Sequence, residues 1–423
     1  MNAGTTALSS DFWDRFVEDI WGKKPAVFQN VFARPFLTET ELIEAIQAIQ
    51  IAIFNGRSVR MRGYRDGHTL TSGHQLLGFV PRPGVSTLDA YAAGVTEDVP
   101  ADEFGVTVDN LEAVFADYLP AAFWRARDIL EPLFERIGVS TVFDAVLLLG
   151  NYRYSPFGIH RDSEHVFAFP IARDRTVLVW PPDRFAEGRD FLPRSRRGQS
   201  HNVLVAPKAV ENDAVALAAG PCDMMYWPAG WWHCGVSNTG RAHAMVALGV
   251  SSDLSPTAAL VETLAEVLTG LAERPWELPA ERSRAGLPPE ADAALARISN
   301  LVSTGELRRR VESATLKHAS ARGMLAAPPL APAVEVKRED AVRSLATCPI
   351  LMSDDGGRVF ANGHEIAAAF SGSDRIVSRL RSPDWLAVEA LCDDPANTPR
   401  VLALLSALLA AGAVERRSSQ SSV

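Results

Sequence analysis

Two fragments of the 423-residue chain carry side chains whose types and spacing suit metal chemistry: Gly158-Ile159-His160-Arg161-Asp162 and Met225-Tyr226-Trp227-Pro228-Ala229-Gly230-Trp231-Trp232-His233. His160 and Asp162 are one residue apart, so on an extended strand both leave from the same face, close enough to grip one ion. His233 comes much later, just past a Pro-Ala-Gly turn with two tryptophans. A His-x-Asp pair plus one distant His is the ligand set of a facial triad, which holds iron(II) through three positions and leaves others open for a co-substrate and oxygen. Taken singly, a His or Asp is ordinarily a solvated or hydrogen-bonded side chain, and most of the nine histidines are read that way. The two fragments together are far less ordinary, because each lies among the strands such a site needs.

Those strands are legible as apolar runs. Val166 to Phe169 is followed by Arg173-Asp174-Arg175 and a second run, Thr176 to Trp180, while Gly220 to Trp227 reads as a turn feeding a mostly apolar strand. Val142 to Gly150 is another, delivering the chain to Asn151. If it continues to Ser155, Asn151 and Arg153 share one face and Tyr152 and Tyr154 the other. Periodicity alone does not say which face looks inward.

With these residues in view the sequence resembles the JmjC-type, cupin-fold oxygenases that depend on iron(II) and 2-oxoglutarate, and within them the ribosomal-protein hydroxylase branch. The family pattern Asn-x-Tyr-x-Ser/Thr-Pro-x-Gly is matched by Asn151 to Gly158, and Gly-Asp-x-x-Tyr-x-Pro-x-Gly-Trp-Trp-His by Gly220 to His233. Two departures stand out: Pro221-Cys222 is inserted before Asp223, and Arg153 stands where the family often has Tyr. The resemblance implies an α+β fold built on a double-stranded β-helix, with His160, Asp162 and His233 as metal ligands. It also implies that the basic residue thirteen after the metal Asp, here Arg175, pairs with the distal carboxylate of 2-oxoglutarate. The same match favours Asn151 and Arg153 as inward-facing cofactor contacts. A buried Arg153 would need a partner, which makes it a second candidate for gripping a carboxylate.

His165 and His243 are read as core or neighbouring residues rather than extra ligands, and Cys222 and Cys234 as small buried hydrophobes. Phe157, Phe167, Phe169, Trp180 and Trp227 are candidates for a dry apolar pocket.

Along the rest of the chain, Asp11 is expected to cap a helix running to Trp21, and Ala26-Val27-Phe28 to form a strand. Thr38 to Glu41 carries capping chemistry for a helix through Ile51. Ser58 to Gly67 reads as a strand edge or a solvated loop presenting Arg60, Arg62 and Arg65, and Gly78 to Asp109 as a long loop near the barrel mouth. Val108 to Ile137 reads as helices broken at Pro120 and again near Pro132. The stretch from Arg184 to Glu211, with Arg194, Arg196, Arg197 and His201, reads as a solvated insertion.

After Ser255-Pro256 the texture turns helical: Thr257 to Leu271, Ala291 to Val302 and Glu306 to Ala321. The tail reads as a hairpin over Leu351 to Asn362, helices around Glu365 to Phe370 and Ser382 to Leu391, and a last helix from Pro399 to Ala411 ended by Gly412. That order resembles the helical dimerisation region and winged-helix-like domain of the ribosomal oxygenases. The expected organisation is an oxygenase domain over 1–255 with its core barrel at about 142–252, a helical region over 256–325, a linker over 326–337, a winged-helix-like domain over 338–415 and a disordered tail over 416–423.

Composition narrows the function classes. A formal charge of −9 and a sequence pI of about 5.6 argue against nucleic acid as the main partner, since phosphate neutralisation needs surplus Lys and Arg. An acidic surface suits a basic peptide or protein substrate. Four scattered cysteines point to a reduced, cytoplasmic setting, and Met1 to Asp11 lacks the features of a signal peptide. The expected activity is hydroxylation of a protein or peptide side chain by a homodimer. The alternatives are a hydroxylase of a free amino acid or small metabolite, demethylation of methyl-lysine, and a non-catalytic cupin-fold binding module.

Overall fold

The computed structural model describes residues 8–418 apart from 56, 58, 71–72, 100–101, 138–141, 192–199, 238–239, 252–288, 324–326, 329, 333, 346–347 and 383. The chain divides into two compact units, Met1–Ser252 with Met324–Pro329, and Asp253–Gly323 with Leu330–Val423. No helix among the described residues is long and apolar enough to cross a membrane.

Among the described residues, the first unit is built on thirteen strands: β1 (Ala26–Phe28), β2 (Arg60–Arg65), β3 (His68–Leu70), β4 (Phe104–Asp109), β5 (Val142–Asn151), β6 (His160–Asp162), β7 (His165–Pro170), β8 (Arg175–Trp180), β9 (Ser200–Asn202), β10 (Val215–Ala219), β11 (Met224–Trp227), β12 (Trp232–Val236) and β13 (His243–Ser251). They form an eight-stranded sheet in the order β1-β11-β7-β13-β5-β4-β2-β3 and a five-stranded sheet in the order β10-β8-β12-β6-β9. Every strand pairing between them is antiparallel. The two sheets face each other across one apolar core. Val166, Ala168, Met225, Trp227, Met245 and Ala247 enter it from the larger sheet, and Val177, Val179, Leu217 and Ala219 from the smaller. Because strand side chains alternate, these are every second residue, and the intervening ones point outward.

The outward set of the larger sheet is covered by helices. In α1 (Ser10–Asp19), Trp13 and Phe16 are buried, and both rings pack on Phe167 of β7. Its cap is Ser9 rather than Asp11: the Ser9 side chain accepts from the Phe12 amide at 3.2 Å, leaving Asp11 in the first turn. The helix α2 (Glu39–Phe54) opens with a full capping box between Thr38 and Glu41. After a single turn, α3 (Gly73–Leu76), come α4 (Leu88–Asp98), α5 (Leu111–Tyr118) and α6 (Pro120–Ile137).

Two local expectations are corrected, and a third narrows to one of its two readings. Gly78 to Asp109 is no long loop: Thr87 caps α4, which buries Leu88, Tyr91 and Val95 at helical spacing, and β4 is buried along its whole length. Its glycines, prolines and acids mask that periodicity. Pro132 lies inside α6 without ending it, since Ile129, Leu130, Leu133 and Phe134 are buried on either side. Ser58 to Gly67 contains strand β2, whose Arg60 and Arg62 both pair with Asp109 of β4.

The outer face of the smaller sheet is covered by the insertion between β8 and β10. Phe185 and Phe191 pack there on Trp232, with Ile159, Leu178, Trp180, Cys234 and Val236. Arg161 lies over Trp232 at 4.6 Å and over Phe191 at 5.1 Å. Arg194, Arg196 and Arg197 lie outside the described residues.

The second unit contains helices Pro289–Ser303 and Glu306–Ser320, two three-stranded antiparallel sheets and helices Ser373–Leu380 and Thr398–Ala410. The helix expected over 257–271 and part of the 326–337 linker lie outside the described residues. The segment expected as a helix at Glu365 to Phe370 begins instead with strand His364–Ala367, paired with Arg358–Ala361 through Asn362-Gly363, both at positive φ. That Asn-Gly pair is a tight-hairpin signal. The helix expected from Ser382 to Leu391 is a two-residue strand and a short 3-10 turn, with the true helix earlier. Arg416 and Arg417 end strand Val414–Arg417 rather than opening a tail.

Candidate metal centre

His160 and His233 are direct cross-strand partners on β6 and β12, so their side chains share the inward face. Asp162, two residues from His160, returns to that face. One donor atom from each of the three lies within 4.8 Å of the others. Nε2 of His160 is 3.7 Å and Nε2 of His233 3.5 Å from Oδ2 of Asp162. The imidazole centroids are 4.1 Å apart. Each ring also turns its other nitrogen to a backbone carbonyl. Nδ1 of His160 is 3.2 Å from the Gly158 oxygen, and Nδ1 of His233 is 3.2 Å from the Trp231 oxygen. An Nδ1–H donating there leaves the Nε2 lone pair facing the shared point, the arrangement that orients metal-binding histidines.

Backbone turns hold these strands in register. Gly158 and Gly230 both adopt positive φ, which a side chain would resist, and the Gly230 amide donates to the Asp162 carbonyl at 2.9 Å. The Asn202 side chain on β9 donates to the Phe157 carbonyl at 2.6 Å. Burial, reinforced by His233, drives the His160 pKa down to about 4, so the ring is neutral with a lone pair to give. Burial works to raise the Asp162 pKa, but the neighbouring His160 and His233 outweigh it and leave it lowered. Two imidazole nitrogens and one carboxylate suit a borderline divalent ion such as iron(II).

Arg175, the first residue of β8, is 1 % exposed. Val177 and Val179 beyond it belong to the core between the sheets, so it occupies the same inward row. Its Nη2 donates to the Tyr152 hydroxyl at 2.8 Å, its Nη1 meets Nε2 of His243, and the guanidinium lies 5.0 Å over the Tyr152 ring. A Cβ on Gly235 would collide with Nη2, so this glycine is what admits the guanidinium. Gly235 is the next inward position after His233 on β12, about 7 Å along the strand. The cation therefore sits one step deeper than the triad. Nε of Arg175 and Nε1 of Trp227 are buried without a hydrogen-bond partner. Buried donors are ordinarily paired, so these two await an acceptor.

The inward row of β5 is Asp144, Val146, Leu148 and Gly150, and Tyr152 continues it. Asn151 and Arg153 are therefore on the opposite row, the reverse of the expected facing. Arg153 is exposed and lies 5.4 Å over the Tyr154 ring, and Asn151 is half-buried at the end of β5, paired with Phe104. Gly150 makes room for Tyr152, whose ring a Cβ there would strike. The alternation was visible in the sequence, but its phase was not.

His243 serves as the partner of Arg175, with its pKa held well below the usual range by burial and by that neighbouring charge. His165 points outward, stacked on Trp21 at 3.9 Å. Of the five pocket aromatics, Trp227 enters the core and Phe157 meets His160 edge-on at 4.7 Å. Phe167 packs on α1 and Trp180 on the outer cluster. Phe169 faces Phe32 and Phe36.

Two acids complete the inner surface. Asp144 has its pKa pushed well up, first by burial and then by Glu112 and Glu164; Glu164 is raised by burial and by Asp162. Gly249 admits Asp144, since a Cβ there would strike its Oδ1 and approach Glu164. No motif spacing marked either acid; only the sheet pairing places them beside Asp162.

No protein-family model matches the chain, and no curated protein matches it. Among solved structures it is similar to E. coli ycfD, at 17% identity over 98% of this chain and 100% of that one, with a TM-score of 0.49. A structure of YcfD, described as a ribosomal oxygenase in complex with cobalt and 2-oxoglutarate, aligns at 17% identity over 98% and 100% of the two chains, with a TM-score of 0.43. The same E. coli protein with cobalt and succinic acid gives 16% identity, the same coverage and a TM-score of 0.46.

Proposed function

We propose that this protein is an iron(II)- and 2-oxoglutarate-dependent dioxygenase that hydroxylates an unactivated C–H bond of a protein or peptide side chain. The observation that carries this reading is a two-histidine, one-carboxylate triad with a buried guanidinium one inward position deeper, over Gly235. A five-carbon dicarboxylate is long enough to reach from an ion at the triad to Arg175. In this reading the two sheets are a double-stranded β-helix, and residues 338–415 form a winged-helix-like module that contacts protein.

When bound, iron(II), 2-oxoglutarate and oxygen supply the oxidising chemistry, yielding hydroxylated product, succinate and carbon dioxide. The chain supplies placement. His160, Asp162 and His233 hold the ion on one side and leave the other open. Arg175, oriented by Tyr152 and His243, neutralises and aligns the far carboxylate with charge-assisted hydrogen bonds. Val177, Val179, Met225 and Ala247 exclude water around it. Asp144 and Glu164 lie near Asp162, where a cationic substrate group would favour their charged forms. They are the observation favouring a basic side chain.

Thermal unfolding under nitrogen tests the site. Manganese(II) and 2-oxoglutarate together should raise the Tm of the wild type, by about 2.7 kcal/mol of stabilisation at a hundredfold excess over Kd. His160→Ala should lose the metal-dependent rise and, in air with iron(II), the succinate formed without substrate. A His160→Ala protein that responds to metal as the wild type does would refute the assignment.

A further inference from the structure

Three tryptophans on the strands around the site have a settled position, and their indole nitrogens divide sharply. Trp180 and Trp232, on the outer face of the smaller sheet, donate to the carbonyls of Val210 at 3.2 Å and Pro182 at 3.1 Å. Trp227, the last residue of β11, enters the core between the sheets, is 3 % exposed, and its Nε1 has no partner. Its ring centroid is 5.0 Å from that of His233, at an interplanar angle of 43°. An indole N–H shut away from water without an acceptor is costly, and native interiors rarely keep one. The residue thus sits beside a metal ligand with an unspent donor.

We infer that the Trp227 indole N–H donates a hydrogen bond to a carboxylate oxygen of 2-oxoglutarate at the end nearer His233. The inference rests on the co-substrate assignment made above. Enclosure selects the acceptor: a residue this buried is out of reach of an arriving macromolecule, but not of a small dicarboxylate seated between the triad and Arg175. Two ionised carboxylates in an apolar core each require donors. Arg175 serves the deep end, and the near end, beside His233, has Trp227. Phenylalanine at this position would fill most of the same volume and give no hydrogen bond, so Trp227 is a positioning residue rather than mere core.

Calorimetric titration of 2-oxoglutarate into the zinc(II)-loaded full chain, under nitrogen, tests this without turnover. Trp227→Phe should bind zinc(II) as the wild type does and bind 2-oxoglutarate roughly tenfold more weakly, as loss of a hydrogen bond to a charged group predicts. Equal affinity in the two proteins would overturn the donor role while leaving the co-substrate reading intact. A wild type that binds zinc(II) but no 2-oxoglutarate would overturn both. If Trp227→Phe does not fold, wild-type protein labelled at its indole nitrogens gives the answer. A downfield move of one of the nine indole proton signals on adding 2-oxoglutarate supports the bond, and no move refutes it.

Discussion

The two faces of the smaller sheet are made from alternate residues of the same strands, yet they solve opposite problems. Outward, Leu178 and Trp180 of β8 and Trp232, Cys234 and Val236 of β12 pack against Phe185 and Phe191, and both indoles find a carbonyl. Inward, β8 carries Arg175, Val177 and Val179, and β12 carries His233 and Gly235. On that face Nε of Arg175 lacks a partner, as does Nε1 of Trp227 across the core. One face is complete as folded; the other keeps two buried donors without an acceptor. The contrast separates residues that hold the sheet from residues that hold something else, although all of them are buried.

The sharpest way to test that division is to injure one face and watch the other. Trp232→Ala removes a fully buried ring from the outer face and should cost roughly 3–5 kcal/mol of stability, read as a lower denaturant midpoint. The 2-oxoglutarate affinity of the molecules that remain folded should be nearly unchanged. A large loss of affinity would show the two faces to be one cooperative unit.

Arg175→Met makes the reciprocal injury. Removal of a charged hydrogen-bonding partner should weaken 2-oxoglutarate binding about 10- to 100-fold, measured with zinc(II) under nitrogen. The ligand-free protein should lose much less stability than Trp232→Ala does, because burying a guanidinium is itself costly. An unchanged requirement for 2-oxoglutarate would move the carboxylate anchor elsewhere.

The smallest effect on the ligand site comes from the outer side of the larger sheet. Beyond the end of the β4 pairing, the Ala145 amide donates to Oε2 of Glu112 at 2.8 Å, and burial pushes the Glu112 pKa up to about 7. A carboxyl whose pKa is raised on folding contributes stability that is present in acid and is lost as pH climbs from its unfolded value through the raised one. Glu112→Gln, which keeps an acceptor for Ala145, should therefore match the wild type near pH 4. It should exceed the wild type by roughly 3 kcal/mol at pH 8, without altering 2-oxoglutarate affinity. A difference independent of pH between these limits would remove the titration argument.

Much of this was legible beforehand, and the reasons differ by residue. The His160-x-Asp162 spacing fixes two side chains to one face of any strand, so their proximity is a property of covalent geometry. Capping chemistry at Thr38 and Glu41 acts within four residues, and it appears as read. The hairpin at Asn362-Gly363 is equally local, although the residues after it carry a helix-like pattern. Gly78 to Asp109 differs in kind: its composition is that of a loop, and only packing against neighbours turns Leu88, Tyr91 and Val95 into a helix face.

What the sequence determined by itself was the chemical inventory and its short-range geometry: which donors exist, which pairs share a face and where strands begin. Tertiary structure alone decided the phase of β5, which turned Tyr152 inward and Arg153 to solvent. It also set the register that lays His233 against His160, and brought Gly235 and Gly249 to the points where Arg175 and Asp144 need room. Strand alternation has two equivalent phases until a second sheet covers one of them. Long-range pairing makes that choice, and no local spacing contains it.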